Sequence, residues 1–140
     1  MNRKKSKEEG FTLLELLVVL AIMGLLAAIV GPQVIRYLGS SKTQTAAVQA
    51  KNVAASLNLF RLDAGRYPTV EEGLGALVKA PASVPTWNGP YLPDQSALTD
   101  PWGKPYLMRA PGEHGEIDVY SLGSDGLPGG TGEARDVGNW

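Results

Sequence analysis

Residues 11–30 read FTLLELLVVLAIMGLLAAIV, and only Thr12 and Glu15 interrupt the apolar run. Twenty helical residues rising 1.5 Å each cover about 30 Å, the thickness of a bilayer's hydrocarbon core. Four cations, Arg3, Lys4, Lys5 and Lys7, precede the run, whereas only Arg36 and Lys42 fall in the twenty residues after it. That asymmetry keeps the N-terminus cytoplasmic and sends the rest of the chain across the membrane. A buried core helix of this length is out of scale for a chain of 140 residues. A cleaved secretory signal needs a shorter apolar region and a small-residue cut site, and LLAAIVGP is a poor one. A retained, single-pass membrane anchor fits both the length and the flanks.

Glu15 is foreign to a plain anchor. A carboxylate in the membrane costs on the order of 2–3 kcal/mol even on insertion scales, so it calls for a partner. One reading has Glu15 snorkel to the headgroups from its place near the apolar edge. The other requires a nearby cation, which the run itself does not contain. A free amine at Phe11 would serve, if the chain were cut after Gly10.

Composition narrows the function classes. The formal net charge is −1, so no basic excess points to nucleic acid. There is no cysteine, which removes disulfides, thiolate metal sites and cysteine nucleophiles, and His114 is the single histidine. Nine of the ten prolines lie at or after Pro68, so the chain divides into a helical front and a loop-rich back.

Past the span, Gly31-Pro32 predicts a kinked or loosened helix, because proline removes a hydrogen bond. Ala46, Ala50, Val53, Leu57, Phe60 and Ala64 then recur at steps of four and three, one face of a helix. Gln44, Lys51, Asn58 and Arg61 fall off that stripe. Gly65, with Pro68 just beyond, is the expected stop. A helix from Phe11 to Ala64 would reach about 80 Å, too long for a small domain to cover. The stripe therefore docks on the protein's own sheet, and the front half packs on lipid or on other copies of itself.

In the back, Thr69-Val-Glu-Glu72 has capping-box spacing and predicts a short helix through Val78. Residues 80–99 are too broken by proline for long elements. Trp87 and Trp102 are expected to plug the core. Tyr106–Arg109 and Ile117–Leu122 read as two strands joined by the hairpin loop PGEHGE, with His114 a solvated residue at its tip. Residues 121–140, SLGSDGLPGGTGEARDVGNW, hold six of the chain's seventeen glycines between 123 and 138. Such a segment buries little and is expected to be loosely held. It also holds Asp125, Glu133 and Asp136. Calcium takes six to eight oxygens from carboxylates and carbonyls. Two aspartates with carbonyls near Leu122, Ser124 and Val137 would supply much of such a shell. The order of residues is not that of an EF-hand, and a plain acidic loop stands beside the ion site as a reading.

Gly10-Phe11-Thr12-Leu13-Leu14-Glu15, behind a short basic leader, resembles the processing signal of type IV pilins and type II secretion pseudopilins. Ser121-Leu-Gly-Ser-Asp-Gly126, Asp136-Val-Gly-Asn-Trp140 and Asp100-Pro-Trp-Gly103 resemble the C-terminal region of the major pseudopilins of type II secretion. The resemblance covers most of the chain and is least distinctive over residues 80–99. It implies an α+β, pilin-like fold: a long N-terminal α-helix packed on a small antiparallel β-sheet with a glycine-rich C-terminal loop. It implies cleavage between Gly10 and Phe11 by a prepilin peptidase, which then N-methylates Phe11. The parts are then a cleaved cytoplasmic leader (1–10), a transmembrane and filament-core helix (11–31), an amphipathic stem (32–64) and a C-terminal globular periplasmic part (65–140). Gly24 and Pro32 fall where the family implies a stretch that melts on assembly.

The implied function is the major structural subunit of a periplasmic pseudopilus that drives folded proteins across the outer membrane. Glu15 would neutralise the Phe11 amine of a neighbour. The implied partners are copies of the same chain, other pseudopilins, the prepilin peptidase and the inner-membrane assembly platform. The implied location is the inner membrane, single-pass, with the C-terminal part in the periplasm, and then the pseudopilus. A structural calcium ion is also implied, held by the Asp125 and Asp136 side chains with carbonyls of Leu122, Ser124 and Val137. The chain departs from some relatives at Arg135, where they carry an acid. A clamp of this kind suits a tail without cysteines, because an ion that binds only the folded form stabilises it.

Two other readings remain. A type IV pilin or a minor pseudopilin lies in the same structural class, although Glu15 favours a core subunit. A membrane-anchored periplasmic enzyme is the other, but the sequence has no Walker A, GxSxG or HExxH motif.

Overall fold

The computed structural model describes residues 10–140. A boundary after Tyr37 divides the chain into an N-terminal unit and a C-terminal unit, Leu38–Trp140. The basic part of the leader, residues 1–9, lies outside the described residues.

One α-helix, α1 (Leu13–Ala64), is continuous through Gly24 and Pro32. The helix runs on without the expected interruption, although the Pro32 ring still deprives the Ala28 carbonyl of its usual i+4 donor. In the N-terminal unit no residue of the apolar window is buried, and the large side chains from Phe11 to Tyr37 all face outward.

In the C-terminal unit the expected stripe is the core. Ala46, Ala50, Leu57 and Phe60 are completely buried, and Val53 nearly so. Gly39, Thr43, Ala54 and Ser56 widen the buried face. Gly65 ends the helix with φ 74°, its N–H bonding the Arg61 carbonyl at 2.8 Å. This is the left-handed cap that glycine adopts without a Cβ penalty.

The capping box forms, but not for a helix. Thr69 N–H donates to Glu72 Oε2 at 2.8 Å and Glu72 N–H to Thr69 Oγ1 at 3.3 Å. Gly73, at φ 61°, then turns the chain out of the helical path, and only a single 3-10 turn follows at Leu74–Leu77. The expected helix to Val78 is thus replaced by a turn whose Leu74, Ala76 and Leu77 enter the core. Trp87 packs against the core as expected and donates to the Ala76 carbonyl at 2.7 Å. Trp102 is only partly buried and is not a member of the core cluster.

The sheet has three antiparallel strands in the order β1 (Leu107–Arg109), β2 (Asp118–Ser121) and β3 (Val137–Gly138). Leu107 pairs with Tyr120 and Arg109 with Asp118, so the first two strands form the expected hairpin. Val119 is fully buried beneath α1's stripe residues in one continuous cluster. The Tyr106 hydroxyl shares its proton between Gln49 Oε1 (2.8 Å) and the Ala46 carbonyl (3.1 Å), which ties the strand to the helix. Burial pushes that hydroxyl's pKa up, and the Asp100 carboxylate adds to the shift.

Candidate functional site

The N-terminal motif is built on a helix start. Gly10 has nothing within 4 Å of where a Cβ would stand, and Phe11 is 79% exposed. The Gly10–Phe11 bond therefore lies ahead of the helix, in backbone open to an enzyme. Thr12 is the cap. Its Oγ1 accepts from Glu15 N–H at 3.2 Å, and its carbonyl accepts from Leu16 N–H at 3.2 Å. The T-x-x-E spacing of a helix N-terminus was present in the sequence and gives the motif a second, local meaning. Glu15 sits in the first turn, where the helix dipole favours negative charge. Among the described residues it makes no ion pair.

The second candidate is the loop between β2 and β3. Ser121 pairs with Val137, so Leu122 and Asp136 face one another at the next step, where the ladder opens. The loop buries little between Ser124 and Gly132, as expected, but its backbone is tied by hydrogen bonds. Ser124 N–H donates to the Glu133 carbonyl at 2.8 Å, and Gly129 N–H to Asp136 Oδ2 at 3.0 Å. A Cβ on Gly123 (φ 70°) would stand 2.6 Å from the Glu133 carbonyl oxygen and 2.8 Å from that of Arg135. The two arms of the loop thus touch backbone to backbone, an approach open only to glycine.

The base of the loop is anchored by Asp100, which is buried. Its Oδ1 accepts from Trp102 N–H (3.0 Å) and Lys104 N–H (2.8 Å), and its Oδ2 accepts from Ser121 Oγ at 2.6 Å. Ser121 Oγ in turn accepts from Gly123 N–H at 3.0 Å. The Asp-Pro-Trp-Gly turn and the first residues of the loop are therefore one hydrogen-bonded unit.

The five expected calcium ligands are only partly gathered. Asp136 Oδ1 is buried with no hydrogen-bond partner among the described residues. A buried carboxylate oxygen without a donor is costly, and a cation is one way to satisfy it. Leu122 and Val137 flank it through the strand register. Asp125 is exposed, its Oδ1 accepting from Leu127 N–H at 3.0 Å, and no hydrogen bond joins it to Asp136. The Ser124 carbonyl is taken by Lys104 Nζ at 2.6 Å. Glu133, the third acid of the loop, packs instead on α1: a Cβ on Gly39 would lie 2.6 Å from its side chain. No group of three or more His, Asp or Glu side chains suited to a metal occurs among the described residues. The residues expected to hold an ion offer oxygen atoms only, a chemistry that would match a hard cation such as calcium rather than a transition metal.

His114 is not simply solvated. Its ring stacks on Trp140 with centroids 3.8 Å apart and planes 12° apart, and its Nδ1 lies 3.1 Å from Asp118 Oδ2. Burial pushes the Asp118 carboxyl up, but the His114 ring and the Glu113 and His114 N–H groups outweigh it and hold the pKa below its usual value. The Asp118 contact is local, four residues on, whereas nothing in the local sequence marks the stacking on Trp140, which lies in a different segment.

Comparison with known proteins gives a consistent picture. The family described as "Type II secretion system (T2SS), protein G" matches residues 33–140, and the "Prokaryotic N-terminal methylation motif" matches residues 5–31. Type II secretion system core protein G of Pseudomonas aeruginosa is 43% identical, covering 98% of both chains. The protein of the same name from Vibrio cholerae is 39% identical, covering 99% of this chain and 95% of its own. The crystal structure of the major pseudopilin from the type 2 secretion system of enterohaemorrhagic Escherichia coli superposes with a TM-score of 0.58 at 36% identity. That match covers 71% of this chain and 87% of the other.

Proposed function

The chain belongs to the type II secretion system protein G family, and from that premise we propose that it is the major structural subunit of a periplasmic pseudopilus. The N-terminal apolar helix anchors it in the inner membrane. A prepilin peptidase cuts between Gly10 and Phe11 and methylates the new terminus. Subunits then leave the bilayer and pack their helices together, with other pseudopilins and an assembly platform as partners. The growing fibre drives folded proteins across the outer membrane.

The observation that carries this reading is Glu15, an acid that makes no ion pair among the described residues, on an exposed apolar helix and four residues from the amine that cleavage would free. In hydrocarbon-like surroundings an unpaired charge is costly, so pairing Glu15 with a neighbour's Phe11 amine adds attraction and fixes register. Glu15→Leu should insert and be cleaved normally, as mass spectrometry of the mature N-terminus would show, but should yield few fibres. A normal fibre yield from this variant would refute the role given to Glu15.

The same reading includes a structural calcium ion in the β2–β3 loop. Asp136 and Asp125 would be side-chain ligands, and Leu122, Ser124 and Val137 carbonyl ligands. The partnerless Asp136 oxygen supports it. A site of modest affinity, about 10⁻⁴–10⁻³ M, is of the kind extracellular modules use. Chelation should lower the melting temperature and speed proteolysis within residues 121–140. An unchanged melting temperature would remove the ion from the account.

A further inference from the structure

The Ser124 carbonyl has two suitors. The calcium reading assigns it to the metal, whereas in the structure it accepts from Lys104 Nζ at 2.6 Å. The same ammonium lies 3.3 Å from the Gly123 carbonyl, and it packs so closely on Gly126 that a Cβ there would stand 3.1 Å from Nζ. Among the described residues Lys104 makes no ion pair with a carboxylate. Its charge is spent on backbone oxygens of the loop. Its own backbone is fixed by the buried Asp100, which takes its N–H at 2.8 Å. The long arm is thus tethered at its root to the turn that also holds Ser121.

We propose that Lys104 is a tethered cation that holds the carbonyls of the β2–β3 loop when no metal is bound and must give way when a divalent cation arrives. The proposal rests on the calcium reading of the loop and adds a competitor to it. Calcium sits about 2.3–2.6 Å from each oxygen ligand. An ion on the Ser124 carbonyl could therefore be no farther than about 5 Å from an ammonium held 2.6 Å from the same oxygen. Two like charges that close repel unless one moves. The exchange is open to Lys104 because a flexible stem lets the ammonium swing to solvent, and it forfeits the contacts with the Ser124 and Gly123 carbonyls, a loss that the metal must offset. Lys104 therefore has two effects of opposite sign: it steadies the metal-free loop and weakens the metal's hold on it.

That pair of signs separates this role from a merely structural one. The test uses the full chain in detergent micelles, with calcium affinity measured by isothermal titration and melting followed with chelator and with millimolar calcium. Lys104→Met removes the charge and the donors. It should melt a few degrees below the parent in chelator, match it in calcium, and bind calcium about tenfold more tightly, within the range usual for coupled sites. Lys104→Gln keeps a donor without the charge and should tighten calcium binding similarly while losing less stability in chelator. Calcium binding by both variants that is unchanged or weaker than the parent's would overturn the proposal while leaving the calcium site standing. A parent that shows no heat of calcium binding and no shift in melting would overturn both.

Discussion

Asp100→Ala tests whether the turn before β1 and the loop after β2 are one unit. The substitution removes a buried acceptor of three hydrogen bonds, from Ser121 Oγ at 2.6 Å, Lys104 N–H at 2.8 Å and Trp102 N–H at 3.0 Å. A hydrogen bond to a charged group contributes about 1.5–3 kcal/mol. The three share one acceptor, so their losses do not add. Trp102 and Lys104 are also only partly buried, and their amides can turn to water. Ser121 is fully buried and keeps the full penalty. A net loss of about 3–4 kcal/mol follows, and for a unit of about 100 residues each kcal/mol lowers Tm by about 4 °C or more. The Leu38–Trp140 unit should therefore melt at least about 12 °C lower, as read by near-UV circular dichroism in detergent. Asp100→Asn keeps one acceptor oxygen and should fall between the two. A shift of less than about 3 °C for the alanine variant, against the ladder expected from these bonds, would show that the network does not hold the loop.

Two further outcomes concern the scaffold. Leu57 is completely buried in the helix stripe, and Leu57→Ala should cost about 3 kcal/mol through lost burial and the cavity left behind, measurable as a lower Tm with an unchanged far-ultraviolet spectrum. Glu72 accepts two bonds of 2.7 Å from Arg66, a bond from Ser83 and one of 2.8 Å from Thr69 N–H. Chiefly through Arg66, and then Ser83 and Thr69, these hold its carboxyl well below the usual range. A depressed folded-state pKa contributes stability that is present above the unfolded value, about 4.3, and is lost as pH falls below it. Glu72→Gln should therefore flatten the decline in Tm from about pH 4.5 downward, and a decline as steep as the parent's would exclude Glu72 as its source.

The features visible in the sequence are those with a local period. The stripe from Ala46 to Phe60, its glycine stop and the hairpin of β1 and β2 all follow from spacing within one segment. The capping box at Thr69 was equally visible, but its consequence was not. Gly73 allows either a helix or a turn, and the burial of Leu74 and Leu77 decides between them. β3 is two residues long and has no period to read. It exists because Asn139 N–H reaches the Val119 carbonyl at 3.1 Å and Asn139 Oδ1 takes Val119 N–H at 2.9 Å. The contacts of Lys104 with Ser124, Asp100 with Ser121 and Trp140 with His114 join residues about 20 or more apart. No composition rule pairs them. Of the N-terminal motif, the acid stands out as an anomaly in an apolar run, whereas the capping role of Thr12 toward the Glu15 amide depends on where the helix starts.

That threonine bears on what peptidase processing leaves behind. The first amides of any helix lack intrahelical acceptors, and an oily fibre interior offers no water to replace them. Thr12 lies on the retained side of the proposed cut and already receives the Glu15 amide. On the proposed cut, the Glu15 amide would therefore keep its acceptor after the leader is removed, and the shortened end would enter a dry bundle with part of its polarity answered from within.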